Sequence, residues 1–596
     1  MKKLPTSIAD FQQLRSQGYI YADNTELIHQ LVKQEKRCFL SRPRRFGKSL
    51  LVSALENILK GRRELFEGLW IDGSDHDWSP RPVVKLSMDS VKTMSAKRLE
   101  KNIIDKLQIF AESEQLPPLK GRKPSIVFES LILKLRDKHK PKGADVFSGQ
   151  KVAVLIDEYD APITHVIADP ALAEECLAVL NEFYGVLKTA SDRLGFIFVA
   201  GVTKYDHASI FSALDHLDDL TLNERYSSIC GFKVEEFGDL FSEHLENILE
   251  QFVDSGQLPV GSAANNLREA IVERYDGYSW DGKTKILNPW SVLKCLSDKK
   301  FKNYWSMTGA PTFLVDLVKE RVKNFGFEKE KFTLSDESNA LNLDDLDPII
   351  LLFQSGYLTI KRTEHKGDWR YLLGFPNMEV IAAMAPPLLL GESLAGDISL
   401  ATTEAKAMRR CLIDRDAFGF QKACESFLGL LPQAGILPHD AYYHNIMIMA
   451  LLFSGQELSS ESAAAWGRRG IHFKAKETGD EYIIELKHLN IQDDASRETK
   501  KRKKKSRPCV EAEIKKLVDE SLKQVMDQME ENLHMKRFPG ADDRIWKAAI
   551  VFMSGGGVAA AFEEASNRPL VNAARKTAKD IGSSPLEPTN GSNKGI

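Results

Sequence analysis

The hydrophobic pattern changes character along the chain, and the changes mark its organisation. Over residues 1–235, short runs of consecutive apolar residues alternate with longer stretches of helical spacing. Such alternation predicts a parallel sheet with crossover helices. The runs at 37–41, 83–88, 152–157 and 195–200 predict strands, each with a polar or Gly-bearing end. After the first strand, Leu51, Leu55, Ile58 and Leu59 recur at helical spacing, and Gly61 predicts the stop. Residues 236–380 read as a mainly helical middle region, with amphipathic helices at 240–252, 264–275, 290–296 and 312–322. That region ends in a β-rich piece from Tyr357 through a strand at 369–374. Residues 381–465 predict a helical connector. A final α/β piece spans 466–560, with strands at 482–486 and 548–552 flanking a long helix near 514–532. Residues 561–596, rich in Gly, Ser, Pro and Asn toward the end, predict a largely disordered tail.

Composition narrows the class without changing this outline. The 596 residues are 43 % hydrophobic and 28 % charged, which excludes wholesale disorder and collagen-like repetition. With 81 Lys+Arg against 84 Asp+Glu, the net charge of −3 excludes a globally basic nucleic-acid coat. The apolar run 446–453 falls well short of the ~18 residues a membrane span needs, so no membrane is expected as a partner. The opening residues lack the apolar core of a secretion signal. The seven Cys form no Cys-x-x-Cys pair. Both features lead to the expectation of a reducing cytoplasm and no structural zinc.

The chemistry begins at residues 38–50, CFLSRPRRFGKSL, which run strand, turn, Gly-Lys-Ser, helix. The phosphate-binding loop pattern is G-x-x-x-x-G-K-[ST]. It needs backbone N–H groups converging at a helix N-terminus, a Lys on the β- and γ-phosphates, and a hydroxyl on Mg²⁺. Lys48 and Ser49 fill the last two roles, and Arg42, Pro43, Arg44, Arg45, Phe46 and Gly47 form the loop. Arg42 stands where the pattern has its first Gly, so the backbone must turn there with a side chain present. About a hundred residues later KVAVLIDEYD delivers acids to a strand end. Asp157 suits holding Mg²⁺ and Glu158 suits polarising an attacking water. The third strand, GFIFVAGVTKYD, ends in Thr203 and Lys204, either of which could sense a γ-phosphate. The pair of motifs predicts binding of ATP with Mg²⁺, the acids facing the loop from a strand beside it. Arg225 is a candidate arginine finger toward a neighbouring copy, which would make the chain a homo-oligomer. His165, His207 and His444 read as structural or surface residues, and Trp280, Trp290 and Trp305 as anchors of the middle helices.

With these residues in place, SRPRRFGKSL, VAVLIDEYDAPI, FVAGVTKY and IYADNTELI resemble the prokaryotic AAA-ATPase-like proteins, whose loop carries the same Arg-for-Gly exchange. DGYSWDG, NPWSVL, YWSMTGAPTFL, LLFQSGYLTI and YLLGFPNMEV extend the likeness. The resemblance implies an α/β fold: a P-loop NTPase parallel sheet with crossover helices, a helical lid-like middle region, and a C-terminal α/β domain similar to PD-(D/E)XK nucleases. Such nucleases need an Asp on one strand and Glu-x-Lys on the next. Glu485 and Lys487 fit the second element, and Gln524 fits the polar residue of the following helix. Gly470 occupies the place of the Asp, so a degenerate, inactive nuclease site is expected; Glu461 and Asp480 are substitute acids in other positions. The basic run Lys500 to Arg507 (KKRKKKSR) is a candidate DNA contact. The expectation is an ATP-binding, ATP-hydrolysing protein that couples nucleotide state to the nuclease-like domain. The alternatives are an active ATP-gated, Mg²⁺-dependent DNA nuclease and a nucleotide-switched scaffold without catalysis.

Overall fold

A computed structural model describes residues 1–140, 150–205, 214–305, 340–380, 398–430, 470–489, 507–534 and 544–565, apart from a few positions within them, with short pieces at 333–335 and 443–454. The chain divides into two units: Met1–Lys406 with Phe427–Ile436 and Asn445–Gly455, and Ala407–Ser426 with Leu437–His444 and Gln456–Ile596.

The first unit is built on a five-stranded sheet of β1 (Arg37–Ser41), β2 (Val83–Ser87), β3 (Val152–Asp157), β4 (Leu194–Gly201) and β5 (Asp218–Asp219), all pairs parallel. The order is β2-β3-β4-β1-β5. Every residue of β3 and β4 is buried, as a sheet covered on both faces requires of its central strands. Helices α1 (Phe11–Ser16) and α2 (Thr25–Lys33) precede β1, and α3 (Lys48–Leu59) follows it directly. α4 (Ala96–Ser113) and α5 (Pro124–Lys138) lie between β2 and β3; the one-turn α6 (Ala161–Thr164) and α7 (Pro170–Thr189) carry the chain on to β4. α3 buries Leu51, Val52, Ala54, Leu55, Ile58 and Leu59 against the sheet and stops before Gly61, whose φ is +70°. Each such fully buried aliphatic side chain contributes about 1.5–3 kcal/mol. The register pairs Ser41 with Gly201 and Ile156 with Val199, so β1, β4 and β3 end at one edge of the sheet. The acids are not on the strand beside the loop, as the sequence suggests; β4 lies between.

The middle region opens with the antiparallel pair β6 (Phe232–Lys233) and β7 (Ile286–Leu287). Around it stand α8 (Val234–Leu240), α9 (Ser242–Asp254), α10 (Ala264–Tyr275) and α11 (Pro289–Asp298). These helices have their own core, which includes Phe237, Phe241, Leu245, Ile248, Leu267 and Ile271. The predicted helix at 312–322 lies outside the described residues. β8 (Thr333–Ser335), α12 (Pro348–Ser355), β9 (Thr359–Lys366) and β10 (Asp368–Gly374) follow, with the strands in the antiparallel order β8-β10-β9. Tyr278, Trp280, Trp305, Tyr357 and residues 349–353 join the core of the large sheet itself. That aromatic part of the middle region is therefore packed onto the core of the large sheet and not set apart from it. Between 381 and 465, the described helices are α13 (Ile398–Asp414) and α14 (Ala417–Gly429).

The second unit holds β11 (Gly470–Lys474), β12 (Glu481–Leu489), α15 (Arg507–His534), β13 (Ile545–Met553) and β14 (Val558–Glu564). β11 and β12 form an antiparallel hairpin, β12 and β13 run parallel across α15, and β14 closes the sheet antiparallel to β13. Ile483, Ala549, Val525, Met526 and Met529 join α15 to the sheet. β14 continues to Glu564, past residue 560 where the sequence pattern starts the tail.

Candidate functional site

The turn from β1 into α3 is shaped by two residues in the left-handed region, Arg45 at φ +71° and Gly47 at φ +93°. The first helical hydrogen bond of α3 runs from Leu51 N to Gly47 O at 3.0 Å, so the preceding N–H groups lead the helix without a helical partner. Pro43 and Phe46 bury their side chains, and Arg44, Arg45 and Gly47 stay exposed. Phe46 packs edge-on against Tyr278 and Trp280, with ring centroids 4.7 and 5.2 Å away, and against Trp305 at 6.4 Å.

Arg42 faces away from the loop. Its side chain is fully buried, and Nη1 donates to Ser41 O and Thr221 O at 2.9 Å each, while Nη2 donates to Tyr226 O at 3.1 Å. The guanidinium lies 4.3 Å over the ring of Trp280, and burial pushes its pKa down to about 10, which still leaves it charged at neutral pH. The extra side chain at the missing Gly is thus stowed beneath the loop as a structural cation. Arg45 sits 4.0 Å over Trp290. Arg44 is exposed and, among the described residues, makes no ring contact; its charge is felt by Glu158.

Lys48, 4 % exposed, donates to Arg42 O at 3.0 Å and Pro43 O at 3.1 Å, and its Nζ stands 3.9 Å from Glu158 Oε1. The Ser49 side chain lies close enough to the Asp157 carboxylate to favour its charged form. Residues from the two ends of the predicted motif pair therefore meet. Burial raises the pKa of Asp157, opposed by Ser49 and Lys48; burial also raises that of Glu158, opposed by Lys48. Asp157 Oδ1 is buried without a hydrogen-bond partner among the described residues. A buried acceptor left unmade costs about 1–3 kcal/mol, so this oxygen fits a cation that would complete it. Ser49 and Asp157 could supply protein oxygens to a Mg²⁺, an ion that commonly takes one or two protein ligands and fills the rest with phosphates and water.

Glu158 adopts φ +53°, a conformation that costs a non-Gly residue roughly 1–2 kcal/mol. Its neighbour Asp160, which the sequence pattern did not single out, is buried and accepts four hydrogen bonds from the end of β4. One of them comes from the hydroxyl of Thr203. Lys204 pairs with Asp219 of β5 at 2.8 Å. Neither Thr203 nor Lys204 is among the side chains gathered at Lys48. Arg225 is exposed on the short turn Glu224–Tyr226.

In the second unit, Gly470 is the direct register partner of buried Glu485. The residue paired with Glu485 thus brings no side-chain ligand beside it. Lys487 lies two residues on, on the same strand face, and donates to Gln524 Oε1 at 2.7 Å. Asp480 pairs instead with Arg415 at 3.3 Å, whose guanidinium lies 3.7 Å over Trp546. Glu461 and residues 500–506 lie outside the described residues, and Arg507 begins α15. Among the described residues no group of three or more His, Cys, Asp or Glu is arranged to hold a metal by itself, and no helix is long and apolar enough to cross a membrane.

A model of the AAA-ATPase-like family, described as predicted AAA-ATPases, matches residues 5–211. The chain is 31 % identical over 499 residues to the "uncharacterized protein in vnfD 5′ region" of Azotobacter chroococcum mcd 1, an alignment covering 82 % of this chain and 90 % of that protein. No solved structure matches the chain.

Proposed function

The chain belongs to the AAA-ATPase-like family, and on that premise we propose that it binds ATP with Mg²⁺ at the turn between β1 and α3 and hydrolyses it to ADP and phosphate. The observation that carries this reading is the meeting of Lys48 with Glu158 at 3.9 Å beside the Ser49–Asp157 pair. Lys48 offsets charge on the β- and γ-phosphates, and the leading N–H groups of α3 face them with the positive end of the helix. Exposed Arg44 adds a second cation from the loop itself. Ser49 and Asp157 would hold the Mg²⁺, which would offset phosphate charge and so lower the repulsion toward a nucleophile. Glu158 orients the attacking water and takes its proton as the γ-phosphorus bond to the bridging oxygen breaks.

For the second unit we propose a nuclease-like scaffold that does not cut. The closeness of Glu485, Lys487 and Gln524 supports the likeness to PD-(D/E)XK nucleases, and the glycine opposite Glu485 argues against catalysis, since one strand carboxylate binds Mg²⁺ weakly. The Lys500 to Arg507 run would contact duplex phosphates in a salt-dependent way. The test is ATP turnover by the purified full chain with and without duplex DNA, the DNA being checked afterwards for cuts. Turnover with intact DNA is the expected result. Tight ATP binding with no phosphate release would favour the switched scaffold, and Mg²⁺-dependent cleavage lost in Glu485→Ala would establish the nuclease reading.

A further inference from the structure

The acid strand holds one more carboxylate than the proposed chemistry uses. Asp160 is 2 % exposed, yet it pairs with no cation among the described residues that any bond records; it is spent on the neighbouring strand end. It accepts from Val202 N on both oxygens at 3.2 Å, from Thr203 N at 2.8 Å and from the Thr203 hydroxyl at 2.5 Å. With three donors shared over its two oxygens, its capacity to bind a metal or a phosphate water is largely consumed.

The residue between them is tied down as well. Tyr159 N donates to Ala200 O at 3.1 Å, Tyr159 Oη donates to Thr203 O at 2.9 Å, and Tyr184 Oη donates to Tyr159 O at 2.9 Å. Gly201 permits the close approach, because an added Cβ there would stand 2.5 Å from both Asp160 Oδ1 and the Tyr159 ring. Glu158 is the residue of this turn in the left-handed region, with Asp157 held in the sheet on one side, where its carbonyl accepts from Met88 N at 2.9 Å, and Tyr159 and Asp160 fastened to β4 and the residues after it on the other. Strained backbone of this kind persists only where its surroundings over-determine it.

We propose that Asp160, through Thr203 and the end of β4, is the positioning residue that holds the Glu158 turn against Lys48. It touches no substrate; it fixes where the Glu158 carboxylate stands. The hydroxyl of Thr203 is then half of a clamp and not a phosphate sensor. This inference rests on the reading of Glu158 as the group that orients water.

The test compares Asp160→Asn, Thr203→Val and Thr203→Ser in the full chain, with ATP affinity, kcat and the thermal midpoint measured for each. Asp160→Asn puts an amide where the N–H donors point, so kcat falls about a hundredfold while ATP affinity stays within about threefold, as misplacement of a reacting group predicts. Thr203→Val lowers kcat about tenfold without weakening ATP binding, and Thr203→Ser, which keeps the hydroxyl, restores it. A merely structural role would lower the midpoint and leave kcat of the folded protein unchanged in all three. Wild-type kcat in folded Asp160→Asn and Thr203→Val overturns the proposal, and so does a parallel loss of ATP affinity and turnover. If Asp160→Asn does not fold, the Thr203 pair decides. Two controls separate failure of the underlying reading: a wild-type chain that neither binds nor turns over ATP, or a Glu158→Gln variant with full turnover, removes the function itself.

Discussion

Glu158→Gln keeps ATP bound and lowers turnover by about two to four orders of magnitude, the range that a positioned general base contributes. The substitution is nearly isosteric, so the turn at φ +53° and the packing around it are retained. What is lost is the basic oxygen facing Lys48. Binding survives because the phosphate contacts come from Lys48 and the start of α3 and not from Glu158. A hundredfold to ten-thousandfold drop corresponds to about 3–5 kcal/mol of transition-state stabilisation. Phosphate release in single-turnover experiments, set beside an ATP-binding isotherm, reads both quantities; a variant that turns over at the wild-type rate would remove Glu158 from the chemistry.

Arg42→Gly restores the general phosphate-loop pattern and nevertheless destabilises the protein, by about 3 kcal/mol. The carbonyls of Ser41, Thr221 and Tyr226 lose their buried donor, each at a cost on the order of 1 kcal/mol. The contact over Trp280 disappears, which removes roughly another 1–2 kcal/mol in a desolvated setting. Glycine also adds unfolded-state entropy worth roughly 0.5–1 kcal/mol. Release of a buried cation offsets part of this sum. Denaturant unfolding of the two proteins measures the difference. A variant as stable as the wild type would mean that the stowed guanidinium contributes nothing net.

The parts legible in the sequence are those where local pattern and tertiary environment agree. β3 spans Val152–Asp157 as its apolar run predicts, because a fully buried central strand must be apolar throughout. α10 spans Ala264–Tyr275 and α3 stops short of Gly61 for equally local reasons. β14, VAAAFEE, escaped notice because alanine has weak strand preference and the segment owes its conformation to the pairing with β13. β5 is two residues long and is defined only by its partner β1. The fate of Arg42 depends on carbonyls some 180 positions away in sequence, at Thr221 and Tyr226, and no spacing rule within the loop reports it. Asp160 was visible as a letter in DEYD, but its hydrogen bonds to Val202 and Thr203 appear only when β4 is laid beside β3.

The central claim, that a triphosphate sits on Lys48 at the start of α3, is tested most directly by calorimetric titration of ATP·Mg²⁺ into the wild-type chain and into Lys48→Ala. The account predicts one saturable site in the wild type and an affinity at least about a hundredfold weaker in the variant, the loss of a charge-assisted contact in a shielded site. Equal affinity in the two proteins would contradict it.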